Sequence, residues 1–127
     1  MTANISSSLE DYLEAIYILQ ESYRGTRVTD IADFLGVSKP SVNRAVSTLK
    51  ETGLLEHEAY GTIRLTEDGK SHAAMVLQRH RLIKQFLTKT LGVDDIIAER
   101  DACRMEHVIS PQTIQKLFEY LDKEEQK

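Results

Sequence analysis

The 127-residue sequence has no tryptophan, one cysteine and two prolines. No apolar run approaches the roughly 20 residues of a membrane span. A single cysteine, Cys103, cannot close an intramolecular disulfide, and no charged-then-apolar leader opens the chain, so a reducing cytoplasm is the expected compartment. The 41% of hydrophobic residues suffice for one core, in one domain or a small domain with a helical extension. Basic residues are also scarce: 16 Lys and Arg against 20 Asp and Glu give a net charge of -4, which removes any whole-molecule electrostatic case for nucleic acid. The distribution restores that case locally. Residues 1–23 carry acids and no Lys or Arg, whereas residues 24–50 carry Arg24, Arg27, Lys39, Arg44 and Lys50 against Asp30 and Asp33. Beyond residue 94 acid is again in excess.

Apolar spacing predicts a first helix from a Ser8 cap through Tyr23, with Leu9, Tyr12, Leu13, Ile16, Tyr17 and Leu19 on one face and Glu10, Asp11, Glu14 and Glu21 on the other. Thr29 is expected to open a short helix, Asp30 to Leu35, with Ile31, Ala32, Phe34 and Leu35 apolar, and Gly36 to end it. Ser38 as cap and Pro40 in the first turn predict a third helix from Lys39 to about Thr52. Leu54 to Glu58 and Thr62 to Leu65 read as two short strands around Tyr60-Gly61. A long helix is expected from Thr66 through about Leu91, followed by helices over Asp94 to Val108 and Pro111 to about Glu125.

Two short helices around a glycine turn, followed by a small wing, form the pattern of a winged helix-turn-helix. The predicted fold class is therefore mainly α, with an N-terminal winged helix-turn-helix DNA-binding domain over 1–70 and a helical domain over 71–127. The second helix of the pair would enter the major groove, and Ser38, Lys39, Pro40, Ser41, Asn43 and Arg44 sit in its first turns. Asn43 and Arg44 are candidates for base edges, because amide and guanidinium groups pair bidentately with purines. Arg27 and Arg64 complete the expected DNA-contacting set. Glu56 and Glu58 leave the wing with little attraction for phosphate.

Three stretches carry potential metal ligands. Asp11 and Glu14 stand three apart, His80 lies on the long helix, and Cys103, Glu106 and His107 at i, i+3 and i+4 share one helix face, where they can converge on an ion. Each residue alone has an ordinary structural use, as core histidine, buried thiol or solvated acid. Together they are less ordinary, because Asp11 and Glu14 have no helical Lys or Arg partner and gathered carboxylates require a cation.

Glu10-Asp11-Tyr12-Leu13-Glu14-Ala15-Ile16-Tyr17, Arg79-His80-Arg81-Leu82 and Ala102-Cys103-Arg104-Met105-Glu106-His107-Val108 resemble, in order, the diphtheria-toxin-repressor family. The resemblance implies a dimeric, divalent-metal-activated repressor with a winged-helix domain followed by a helical dimerisation and metal-binding domain. The absence of residues for an SH3-like third domain resembles the short manganese-responsive branch. Asp11, Glu14, His80, Glu106 and His107 match ligand positions of that branch, whereas Cys103 matches the iron-responsive branch. Lys84 and Glu99 stand where iron-type members place an ancillary carboxylate and histidine, which argues against an ancillary site of that type.

The resemblance thus implies control of metal homeostasis by a homodimer that binds palindromic double-stranded operator DNA when loaded with Mn²⁺ or Fe²⁺, with Zn²⁺ or Co²⁺ able to bind in vitro. It implies no membrane and no small-molecule substrate. Soft thiolate ligation would move preference toward Fe²⁺, Co²⁺ or Zn²⁺, and an oxygen-rich set toward Mn²⁺ or Fe²⁺. The competing reading is a winged-helix regulator that senses a small organic ligand or oxidation of Cys103 without metal. A hydrolase reading is disfavoured, because the sequence supplies no oxyanion donors or substrate pocket beyond its core.

Overall fold

The computed structural model describes residues 5–22, 26–58 and 61–126. Its elements are α1 (Ser7–Ser22), α2 (Val28–Leu35), α3 (Lys39–Glu51), β1 (Leu55–His57), β2 (Ile63–Leu65), α4 (Glu67–Gln85), α5 (Asp95–Met105) and α6 (Pro111–Glu125). The chain divides into two compact units, Met1–Ala74 and Met75–Lys127. The expected helix end at Tyr23, the break at Arg24 and Gly25, and Tyr60 of the wing turn lie outside the described residues.

The first unit packs α1, α2, α3, the two strands and the start of α4 around one core. Leu13, Ile16, Ile31, Val42, Leu49, Leu55 and Ile63 are among its largest fully buried members. They come from the apolar stripes of three helices and the inward positions of the hairpin, where side chains alternate between faces. The strands pair antiparallel in the register Leu55↔Leu65, Glu56↔Arg64 and His57↔Ile63. Thr26 extends this small sheet by bridging to Ile63, whose amide donates to the Thr26 carbonyl at 2.7 Å. This is a winged helix-turn-helix.

Local chemistry sets the helix ends. Ser38 caps α3, its Oγ accepting from the Ser41 amide at 3.3 Å, and Pro40 occupies the first turn. Gly36 ends α2 in the left-handed region at φ 68°, where a side chain would be strained. Two expected starts differ. Ser6, not Ser8, caps α1, with Oγ accepting from the Leu9 amide at 3.2 Å. The second helix begins at Val28, not after Thr29, because the Asp30 carboxylate reaches back to accept from the Arg27 amide at 2.9 Å. Phe34, expected on the apolar side of α2, is 51% exposed.

A close approach joins the wing to α4. Thr66 Oγ1 donates to the Gly53 carbonyl at 2.8 Å and accepts from the Gly69 amide at 3.1 Å. This seats the first turn of α4 so near Leu54 that a Cβ at position 69 would overlap the Leu54 carbonyl oxygen. Glycine at 69 is thus a packing requirement.

In the second unit the continuing α4 passes into a π-helical turn, Phe86–Thr90, with the Leu91 amide donating to the Phe86 carbonyl at 3.2 Å. Thr88 Oγ1 donates to the Lys84 carbonyl at 3.0 Å, a side-chain bond that competes with the helical ladder where the geometry changes. Ile83, Leu87, Ala98 and Ala102 form the buried centre, with Val93, Ile109, Ile114 and Leu117 against it. Asp94 caps α5 by accepting from the Ile96 amide at 3.1 Å, and Ser110 caps α6 by accepting from the Thr113 amide at 3.1 Å. α5 ends at Met105, three residues before the expected Val108, and Val108 is exposed. Ile96, Ile97 and Phe118 are also exposed.

Candidate functional site

The N-terminal turns of α3 present the expected reading face. Ser38, Lys39, Pro40, Asn43 and Arg44 are exposed and Ser41 is half-buried. The hydroxyls of Ser38 and Ser41 lie 2.9 Å apart, and Arg44 Nη2 donates to Ser41 Oγ at 3.3 Å. Capping thus also arranges this surface: Ser38 sets the helix start, Ser41 follows, and Arg44 is drawn along the same face. The opposite face, with Val42, Ala45, Val46 and Leu49, is buried in the core, so α3 offers its polar side outward from a rigid support.

On the wing, Arg64 pairs with Glu58 and stands opposite Glu56 in the register. A phosphate would have to compete with two carboxylates for this guanidinium. Arg27 is exposed, and its guanidinium lies beside Gly61 at the wing turn.

Four of the six expected metal ligands belong to the second unit, and their donor atoms gather around Glu106. α4 delivers His80, whose Nδ1 lies 3.5 Å from Glu106 Oε2. The end of α5 delivers the rest. Glu106 keeps right-handed helical backbone angles one residue past Met105, so the i, i+3 relation to Cys103 survives the end of the helix. Cys103 Sγ and a Glu106 carboxylate oxygen lie within 4.8 Å of one another, and His107 Nε2 lies 3.6 Å from Glu106 Oε1. Arg79 Nη1 donates to the Glu106 backbone carbonyl at 3.1 Å, which satisfies an orphan carbonyl of the terminating helix and ties it to α4. Asp11 and Glu14 stand one turn apart on α1 of the first unit, both half-buried.

The electrostatics of this cluster call for positive charge. The Glu106 side chain is 0% exposed, and neither carboxylate oxygen accepts a hydrogen bond. An ionised carboxylate without donors is costly in an interior. The His80 pKa is correspondingly raised to about 9, chiefly by the Glu106 carboxylate, against burial, which works to lower it, and with further help from Glu99. Burial works to raise the Glu99 carboxyl, but the hydrogen bond from His80 and the nearby Lys84 ammonium outweigh it and hold it below the ordinary value. Two imidazoles, a carboxylate and a thiol around orphaned oxygens form a donor set that fits a divalent transition metal.

Two interactions were not foreseen. Glu10, expected on the solvated face of the first helix, is buried, and its Oε2 lies 2.9 Å from His72 Nε2 on α4. Only its position beside the core residue Leu13, one turn on, hinted at this. The sequence marks Glu99 only by the histidine it replaces, whereas in the structure it is the hydrogen-bond partner of His80, with Oε2 2.6 Å from Nε2. The i, i+4 relation of His80 and Lys84 was the available signal.

Known proteins agree with this division of labour. Residues 4–63 match the family model of the iron dependent repressor N-terminal DNA binding domain, and residues 66–127 that of the iron dependent repressor metal binding and dimerisation domain. The chain is 35% identical over 120 residues to an uncharacterised helix-turn-helix transcriptional regulator of Methanocaldococcus jannaschii, covering 94% of this chain and 96% of that one. It is 33% identical over 119 residues to the diphtheria toxin repressor of Corynebacterium glutamicum, covering 94% of this chain and 52% of that protein. The solved structure of the manganese regulator SloR superposes with a TM-score of 0.81 at 30% identity, over 96% of this chain and 55% of that one. The chain thus spans about half the length of the last two. Matched across both of its halves, it belongs to the iron-dependent repressor family of metal-dependent transcriptional regulators.

Proposed function

We propose that this chain represses transcription as a homodimer on palindromic double-stranded DNA when loaded with Mn²⁺ or Fe²⁺, and so adjusts the supply of that metal. The observation that carries the reading is Glu106: a fully buried carboxylate, accepting no hydrogen bond, set between two imidazoles on a chain whose other unit is a winged helix-turn-helix. Asp11, Glu14, His80, Cys103, Glu106 and His107 are the proposed ligands. A bound divalent cation would supply the positive charge that these carboxylates require, and preference between ions would rest on the oxygen-rich set against the single thiolate.

The chain's own residues do the rest. Glu106 and His107 lie at the end of α5, and Arg79 holds that end against α4 through the Glu106 carbonyl. Ser38, Lys39, Pro40, Ser41, Asn43 and Arg44 approach the major groove, with Arg44 and Asn43 toward base edges and Lys39 toward phosphate; Arg27 and Arg64 flank it from the wing side. The functional division falls near residue 70, with DNA reading before it and metal binding and dimerisation after it. Val93, Ile96, Ile97 and Phe118 are the proposed two-fold contact, since a symmetric dimer with two reading heads matches a palindrome. No described helix is long and apolar enough to cross a membrane, and a regulator of this kind acts in the cytoplasm.

Asp11→Ala and His80→Ala test the reading. Each should abolish metal-dependent DNA binding and leave the far-UV spectrum unchanged. Normal metal-dependent affinity in either variant would remove that residue from the centre.

A further inference from the structure

His80 stands between two carboxylates at different edges of its ring. Nε2 lies 2.6 Å from Glu99 Oε2, a short hydrogen bond, whereas Nδ1 lies 3.5 Å from Glu106 Oε2, beyond ordinary hydrogen-bond length. Glu99 is held in turn. Lys84 Nζ lies 3.6 Å from Glu99 Oε2 and 3.5 Å from Asp95 Oδ1. His80 and Lys84 are one turn apart on α4, and Asp95 and Glu99 are one turn apart on α5, so the two helices bring the two pairs into register.

We propose that Glu99 is a positioning residue for the metal centre: by accepting the Nε2–H of His80, it fixes the tautomer and ring plane that leave the Nδ1 lone pair directed at the Glu106 carboxylate. The proposal rests on the metal-centre reading above and names an outer partner that this reading did not contain. A neutral imidazole carries one N–H, and an ionised carboxylate can only accept. Once a cation displaces the second proton of the ring, the remaining hydrogen is therefore kept on the Glu99 side and the lone pair on the Glu106 side. Outer partners of this kind orient ligating histidines and raise their basicity. The Lys84 ammonium bears on whether Glu99 ligates a second cation instead, because a fixed positive charge 3.6 Å from that carboxylate opposes another.

The experiment uses the full chain with ¹⁵N-labelled histidine, loaded with ¹¹³Cd²⁺ for the spectra and titrated with Mn²⁺ for affinity, in wild type, Glu99→Ala and Glu99→Gln. The Glu99 side chain is 52% exposed, so both substitutions are compatible with the fold, and far-UV spectra of the metal-free proteins check this. Wild type should show His80 bound to cadmium through Nδ1 with hydrogen on Nε2. Glu99→Ala should lose the single tautomer and weaken Mn²⁺ by about 10- to 100-fold. Glu99→Gln keeps an acceptor oxygen, so it should recover the tautomer and part of the affinity. Coordination through Nε2 in wild type would overturn the proposal, as would unchanged spectra and affinity in Glu99→Ala. Two ions per chain in wild type and one in Glu99→Ala would make Glu99 a ligand and also overturn it. A wild type that binds neither ion at the His80 ring would instead overturn the metal-centre reading, and this proposal with it.

Discussion

Removing either partner of the buried Glu10–His72 pair tests how α1, the helix that carries Asp11 and Glu14, is pinned to α4. The donor and acceptor are 2.9 Å apart, with the histidine side chain 4% and the glutamate side chain 10% exposed. In Glu10→Ala the imidazole loses its partner at Nε2 in an interior where Nδ1 already makes no hydrogen bond. A hydrogen bond to an ionisable group contributes about 1.5 to 3 kcal/mol, and stranding one partner of a buried pair costs about 3 to 5 kcal/mol. Glu10→Ala, which strands the imidazole, should therefore lose about 3 kcal/mol, and His72→Ala, which removes one partner of Glu10, about 1.5 to 3 kcal/mol. Glu10→Ala/His72→Ala strands neither group, so it should lose less than the sum by about 2 kcal/mol. The assay is urea unfolding of the metal-free chain followed by far-UV circular dichroism, because bound metal would add its own stabilisation. Losses that add to within about 0.5 kcal/mol would refute the pairing as an energetic link.

Gly69→Ala should destabilise the fold by at least about 2 kcal/mol, against the usual preference for alanine in a helix, because the new Cβ meets the Leu54 carbonyl; a raised melting temperature would show that this junction is not so tight. Arg44→Ala should relax sequence preference at a cost of about 1 to 3 kcal/mol, whereas Lys39→Ala should weaken all duplexes alike and reduce the salt slope by about one. Competition binding on specific and random DNA separates the two, and equal loss on both for Arg44→Ala would exclude it from base reading. Cys103→Glu should weaken activation by Fe²⁺ and Co²⁺ relative to Mn²⁺ if the thiolate ligates. In that case Co²⁺-loaded wild type carries a thiolate charge-transfer band, and its absence together with an unchanged metal ranking would exclude Cys103 as a ligand.

What the sequence made legible was whatever rests on local chemistry. Ser38 with Pro40, Gly36, and Ser110 with Pro111 mark helix ends through interactions spanning three or four residues, and the helices start and stop there. The wing follows from two short apolar runs flanking a glycine. Periodicity identifies a face but not what meets it. That is why Glu10 read as solvated when a histidine 62 positions away receives it, and why Phe34 read as core when α2 turns it outward. The same limit applies at the candidate metal centre. The spacing of Cys103, Glu106 and His107 predicts a shared face, whereas the pairing of His80 with Glu99 depends on how α4 packs against α5.

The most direct test of the account is the affinity of the full chain for duplexes selected from a randomised library, measured by fluorescence anisotropy with Mn²⁺ or Fe²⁺ and again with a chelator. The account predicts palindromic selected sequences bound by a dimer, with metal tightening binding by roughly 5- to 150-fold, a coupling of about 1 to 3 kcal/mol. It also predicts that His80→Ala erases this difference. Equal affinity with metal and with chelator in wild type would contradict it.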